Sequence, residues 1–359
     1  MRGKQSLKTT LRLDQRMALL GRLRMAEWIE MPEQKFAQEI EKIEKDPLFQ
    51  KLFYGKEGSA IRRQKWAAGR FSGSFYEVNE QVAAGSQRVR VEEKLDEKQR
   101  LLPKIRKIGQ EAFERYFLYA EEPLPLEEIA RRTGLPLEDI QAINQLLLEI
   151  GSEAEFAGPP PGTATASFSC LARLSIEAEE PIFEFFSPHW ARGLYNIRYE
   201  KLEQWKRDGM FQPAEMRRLP HLLKRMETVN LRQNTLYRVM ETVTKLQAEF
   251  LKTRRKDLLR PISLRKLAWR LDLAPSTVSR ALSGRGVKLP WGQEVPLIKF
   301  LPGRRRVLRD VLSQWLEKDG RAATDSFLAQ RLREEYGIKV SRRTVNAVRN
   351  ELGRSKKTA

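Results

Sequence analysis

One cysteine, Cys170, and two histidines, His189 and His221, are all that 359 residues offer to sulfur and imidazole chemistry. A single cysteine closes no internal disulfide and fits a reducing compartment. Two histidines far apart leave little material for a zinc site or a Cys/His nucleophile pair. There is no GxxxxGK[ST] phosphate loop and no GxGxxG turn. No apolar run reaches the roughly 18 residues of a spanning helix, and the opening "MRGKQSLKTTLRLDQ" lacks the apolar core of a secretory signal. These absences predict a cytoplasmic protein with no membrane contact, no metal and no cofactor. They favour binding over catalysis, and no catalytic residue is assigned.

Positive charge is what the chain has in excess. Lys plus Arg number 67 against 47 Asp plus Glu, a net charge of +20 that points to a polyanionic partner. Residues 254–359 hold 26 Lys/Arg and 10 Asp/Glu, a net of +16, which leaves +4 for the other 253 residues. The basic partner site is therefore C-terminal.

Hydrophobic spacing divides the chain into six segments. Residues 1–54 hold two helical patterns, Leu13, Met17 and Leu20 in the first and Phe36, Ile40 and Ile43 in the second, which stops at "KDPLF" because the residue before Pro47 avoids the helical region. So thin an apolar stripe needs a neighbouring surface to cover it. Residues 55–95 lack periodicity and read as a linker. Residues 96–157 contain a helix-turn-helix outline at 123–150, with Ile129 and Ala130 in one helix and Ile140, Ile143 and Leu147 in the next. Its second helix carries Glu138, Asp139 and Glu149 and no Lys or Arg from Pro136 to Ile150, so a phosphate backbone would repel it. In 158–252, Phe168, Cys170, Ala172, Leu174 and Ile176 alternate as a half-buried strand, "EAEEP" turns it into "IFEFF", and Leu236, Met240, Val243 and Phe250 line a long helix. The fold class is mainly α: a multi-domain helical protein with a small β hairpin and two C-terminal helix-turn-helix units.

The first of those units lies in 253–303. Ser263 is placed to cap a helix with Leu264, Leu267, Ala268 and Leu271 on its inner face, and "DLAP" makes a short turn. Ser276 is expected to cap the second helix, with Val278 and Leu282 inward and Thr277, Ser279 and Arg280 outward as groove-reading side chains. The second unit, in 304–359, repeats the plan: "LAQRL" echoes "LAWRL", and "SRRTVNAVRNEL" echoes "PSTVSRAL", after a longer turn in which Gly337 is a natural C-cap. Ser341 stands where it can cap a helix whose first turn carries Arg342 and Arg343. Cations there oppose the helix dipole, which an anionic ligand would offset. Basic segments around "SGRGVKLPWG" and "LPGRRRVLR" suit phosphate contacts, and Trp66 and Trp291 are placed where packing or base stacking would occupy them.

"VSRRTVNAVRNE" resembles the RpoN box of the sigma-54 family of transcription initiation factors, "STVSRA" resembles that family's other helix-turn-helix, and "LRLDQRMALLGRLRMAEWIEMPEQKFAQEIEKIEKDPLF" is similar to its N-terminal regulatory region. The box differs from the usual form at Asn346, Ala347 and Val348, the first motif is followed by Val287 and Trp291 in place of the usual Tyr and Arg, and one helical core-binding unit is recognisable where the family has two. The resemblance implies a nucleoid-associated factor whose partners are promoter DNA, core RNA polymerase and an AAA+ activator ATPase. It places Ser341, Arg342, Arg343, Thr344, Asn346 and Arg349 at the −24 promoter element and Ser276, Thr277, Ser279 and Arg280 at the −12 element. The alternative within the family is an antagonist that occupies promoters without initiating. A third class, a DNA-directed enzyme such as a nuclease, has few candidate nucleophiles or metal clusters in its favour.

Overall fold

The computed structural model describes residues 25–72, 100–101, 103–120, 123–153, 168–178, 180–318, 323–336 and 338–355. The Leu13, Met17 and Leu20 pattern, the stretch 73–99 and Gly337 lie outside the described residues. The chain is mainly α, as expected, and divides into two compact units, residues 1–174 with 182–237 and residues 175–181 with 238–359.

In the first unit, helix α1 (Glu33–Glu44) buries Phe36, Ala37, Ile40 and Ile43 along one face. The chain does turn at "KDPLF", but it re-enters a helix at once. Asp46 accepts the N–H of Leu48 at 2.9 Å and Pro47 sits in the first helical position, where its missing N–H costs nothing, so α2 (Pro47–Tyr54) follows directly. Leu48, Phe49, Leu52 and Phe53 join Phe36, Ile40 and Ile43 in one core with Tyr195, Trp205, Leu219 and Met226. The surface that covers the α1 stripe is therefore the chain's own. Each such fully buried side chain contributes about 1.5–3 kcal/mol.

The linker expected at 55–95 is corrected over its first part. Residues 61–64 form β1 (Ile61–Gln64) and residues 69–71 form β2 (Gly69–Phe71), with Ala60, Ile61, Trp66 and Phe71 buried. Two strands of four and three residues are too short to show periodicity, and tertiary pairing makes them. The expected hairpin is present as β3 (Ser169–Glu177) and β4 (Glu180–Phe185), and β2 runs parallel to β4 with Gly69 opposite Phe183. Its alternation is looser than expected, because Leu171 is buried while Cys170 and Ile176 are half-buried. β5 (Leu194–Ile197) pairs antiparallel with β1, entered through Gly193 at φ 72, where a Cβ would lie 2.0 Å from the Gln64 carbonyl oxygen. Trp66 is core: it stacks on Tyr237 and donates Nε1–H to the Trp190 carbonyl at 2.8 Å.

Two buried carboxylates hold α1 in place. Glu33 accepts from Arg232 at 2.6 Å and from Trp190 Nε1 at 3.1 Å, while Arg232 also donates to the carbonyls of Trp28 and Met31 and lies 3.7 Å over the Phe36 ring. Glu44 accepts from Arg63, from Arg192 at 2.9 Å and from the Tyr195 hydroxyl at 2.9 Å. Burial alone would push the Glu44 carboxyl up, but the Arg63 and Arg192 charges and the Tyr195 hydroxyl outweigh it and hold the group below the usual carboxylate range. His189 is buried beside this network, bonded to Ser187 and edge-on to Phe36, and burial lowers its pKa from 6.5 to about 4.

The helix-turn-helix outline at 123–150 is present as α3 (Leu126–Thr133), closed by Gly134 at φ 68, and α4 (Leu137–Glu153). Ile129, Ile140, Ile143 and Leu147 are buried as read. Asp139 is not a solvated acid: it is buried and paired with Lys104. The helix bearing Met226 and Leu236 is longer than its apolar stripe, running as α5 from Pro213 to Leu246.

In the second unit, Met240 and Val243 are buried and the helix ends before Gln247. That side chain, itself buried, donates to the carbonyls of Arg260 at 2.9 Å and Phe300 at 2.8 Å and accepts the Arg260 N–H at 2.9 Å. Phe250 is half-buried and meets Trp291 edge-on at 5.5 Å, with the Arg254 guanidinium 5.6 Å from the indole, so Trp291 is occupied by packing. Strands β6 (Arg285–Lys288) and β7 (Glu294–Pro296) form an antiparallel hairpin with Val287 opposite Val295. "SGRGVKLPWG", read as a phosphate-contacting segment, thus also supplies core through Val287 and Leu289. The last three helices, α8 (Arg304–Lys318), α9 (Asp325–Tyr336) and α10 (Arg342–Ser355), close a core of Val307, Val311, Trp315, Leu328, Leu332 and Val345. Residues 263–282 of this unit form the first half of the site.

Candidate nucleic-acid interface

The helix-turn-helix at 263–282 is built by short-range chemistry. Ser263 accepts the Lys266 N–H at 3.2 Å and starts α6 (Leu264–Leu271), whose Leu267, Ala268 and Leu271 are buried. The second helix is α7 (Pro275–Leu282). Asp272, in the left-handed region at φ 54, ends α6. The expected Ser276 cap is corrected. Pro275 takes the first helical position and Ala274 precedes it, so Ser276 lies exposed inside the first turn, because proline's fixed φ suits that place. Val278 and Leu282 point inward as read, Ser279 is exposed, and Thr277 and Arg280 are half-buried.

Arg285 explains how α7 ends. It is buried, and its Nη1 donates to the carbonyls of Arg280 at 3.0 Å, Ala281 at 3.2 Å and Ser283 at 3.4 Å. A cation at a helix C-terminus satisfies carbonyls that have no partner within the helix and complements the dipole. Arg285 lies in "SGRGVKLPWG", read as suited to phosphate contacts, and its guanidinium is instead taken up by these carbonyls.

The second helix-turn-helix has the cap its sequence foretold. Ser341 Oγ accepts the Thr344 N–H at 3.3 Å and lies 3.0 Å from Thr344 Oγ1. Ser341, Arg342, Arg343, Thr344 and Asn346 are exposed, while Val345 and Val348 face the core. α10 therefore begins with two arginines outward on a rigid first turn.

Arg349 is placed differently. Its Nη1 donates to Asp325 Oδ1 at 2.8 Å and to the Ala323 carbonyl at 2.9 Å, and Asn346 donates to Asp325 Oδ2 at 2.8 Å. The bonds from Asn346 and Arg349, with the Arg342 charge added, hold the Asp325 carboxyl below its ordinary value. Two residues expected at DNA thus fasten α10 to the start of α9, where Thr324 Oγ1 also accepts the Phe327 N–H at 3.3 Å. Asp325, which no motif singled out, is the hinge of that arrangement.

Further cations of residues 263–355 are exposed: Arg265, Lys266, Arg270, Lys299, Arg304, Arg305, Arg306 and Lys339. Among the described residues no three His, Cys, Asp or Glu side chains are grouped to hold a metal ion, and no helix is long and apolar enough to cross a membrane. What the surface offers chemically is hydrogen-bond donors and positive charge, on α7 and on the capped α10.

Comparison with known proteins finds the same part of the chain. Residues 217–358 match the family described as sigma-54, DNA binding domain. The RNA polymerase sigma-54 factor of Bacillus subtilis is 31% identical over 137 residues, which is 34% of this chain and 30% of that protein. The putative RNA polymerase sigma-54 factor of Clostridium kluyveri is 24% identical over 140 residues, 36% of this chain and 30% of that protein. The RNA polymerase sigma-54 factor of Cereibacter sphaeroides is 31% identical over 139 residues, 35% of this chain and 31% of that protein. The matched part thus spans about 30% of the length of these relatives.

Proposed function

We propose that this chain, whose residues 217–358 match the sigma-54 DNA binding domain, is a transcription initiation factor that binds core RNA polymerase and reads the −24 and −12 promoter elements. The observation that carries the reading is the capped, outward first turn of α10, Ser341 to Thr344, inside the matched domain. An arginine fork matches guanine O6 and N7, and each good bidentate pair discriminates by about 1–3 kcal/mol. Arg342 and Arg343 are the proposed readers of the upstream GG element, flanked by Ser341 and Thr344. Asn346 and Arg349 support that turn from behind through Asp325. Ser276, Thr277, Ser279 and Arg280 are the proposed contacts to the downstream element, held by α7. By the same family likeness, promoter opening depends on an AAA+ activator, and the protein works in the bacterial cytoplasm at the nucleoid as a binding protein, not an enzyme.

A second reading, a factor that holds promoters without initiating, is favoured by the concentration of the similarity in the DNA-binding part. One titration separates the two. The protein is added to a duplex carrying GG and GC elements and to a scrambled duplex, at one fixed salt because phosphate contacts are steeply salt-dependent, with and without core polymerase. Specific binding that core polymerase joins, followed by activator-dependent transcripts, is the expected result. Specific binding without polymerase selects the second reading, and binding without sequence preference overturns both.

A further inference from the structure

Trp269 is 87% exposed. Single exposed apolar side chains are ordinary, but an indole ring with one face packed on its own protein would keep about half its surface, so this exposure leaves both faces open. Its helix is rigid: α6 is capped by Ser263 and anchored by Leu267, Ala268 and Leu271. On the outer side of the same helix, Arg265 stands four residues before Trp269, Lys266 three before, and Arg270 beside it, all exposed. Residues three and four apart are neighbours on a helix surface, so Arg265 and Lys266 flank Trp269, and Lys266 in turn neighbours Arg270. Residues 264–271 hold no acid, and Asp272 follows only at the cap.

An aromatic ring open on both faces with cations beside it is the chemistry of single-strand nucleic-acid recognition, in which bases stack on the ring and cations follow the phosphates. A duplex backbone contact would need the cations alone. We propose that Trp269, with Arg265, Lys266 and Arg270, is a stacking contact for an unpaired nucleobase of the DNA this unit holds. The inference rests on the DNA-binding reading above. It adds to α7 and α10, which face paired DNA, a third contact that favours a strand with unstacked bases.

The test measures binding of the full chain and of Trp269→Ala and Trp269→Phe to three DNAs at one salt: the fully paired GG/GC duplex, the same duplex with a short mismatched stretch, and one strand alone. Trp269→Ala is expected to weaken the mismatched and single-stranded DNAs by about tenfold or more while leaving the paired duplex within about twofold, and Trp269→Phe to retain most of the binding. Quenching of indole emission by the single strand should disappear in Trp269→Ala. Equal weakening on all three DNAs would mean a backbone contact and overturn the proposal. If the wild-type chain binds the paired duplex specifically and Trp269→Ala changes nothing, this inference alone falls. If the wild-type chain binds none of the DNAs, the DNA-binding reading falls and takes this inference with it.

Discussion

The two units use arginine in opposite ways. In the first, Arg63, Arg192 and Arg232 are buried, and all three close on the carboxylates of Glu33 and Glu44 in a single helix. In the second, Arg265, Arg270, Arg304, Arg305, Arg306, Arg342 and Arg343 are exposed, and among the described residues only Arg285 is buried, against helix-end carbonyls. A buried guanidinium is tolerated where a carboxylate or carbonyls meet its fork, and it then makes the arrangement all-or-none. An exposed one adds little to stability and is available to an anion. Near-neutral charge in one part of the sequence and a net of +16 in the other are the compositional shadow of that difference.

Substitutions should separate the two roles. Arg232→Met leaves Glu33 buried without its charge partner and is expected to lower unfolding free energy by about 3–5 kcal/mol in chemical denaturation, whereas Arg342→Ala should leave that curve unmoved. Acidification should act on the same unit. His189 has a folded pKa near 4 and an unfolded value of 6.5, so the unfolded chain binds the extra proton first, and stability present above the unfolded value is lost as pH falls from 6.5 towards 4, by roughly 3 kcal/mol. His189→Gln should flatten the denaturation profile in that window. Glu44, whose folded pKa is depressed, adds a further loss only at lower pH, as the carboxyl itself takes up a proton.

Smaller effects test the outward set. Arg342→Ala or Arg343→Ala is expected to cost about 1–3 kcal/mol on the specific duplex and much less on a scrambled one, read by competition binding at fixed salt. A uniform loss on both duplexes would make these arginines phosphate contacts. Ser341→Ala removes the α10 cap and should cost about 1 kcal/mol of stability in the second unit, with a matching loss of duplex affinity because the arginine turn is no longer held.

Much of this was legible because it is local. The pattern of Leu264, Leu267, Ala268 and Leu271, the Ser263 and Ser341 caps and the turn at "EAEEP" each depend on residues within one or two turns of each other. The Ser276 cap failed for a local reason also: Pro275 competes for the helix start and wins by its fixed φ. The strands at 61–64 and 69–71 were not legible, since three or four residues acquire their pairing from partners far away in sequence, such as Asn196 for Arg62.

The sequence by itself determined the helical class, the two C-terminal helix-turn-helix units, the basic end of the chain and the capped arginine turn at 341–344, because spacing, capping and net charge are properties of neighbours along the chain. Which arginines serve the fold and which are left for a partner was decided by tertiary structure alone. Arg232 finds Glu33 from 199 residues away, and Arg349 finds Asp325 from 24, while Arg342 meets neither fate and stays exposed. A guanidinium carries the same charge everywhere, so only the position of a distant carboxylate, and the dielectric around it, sorts one role from the other.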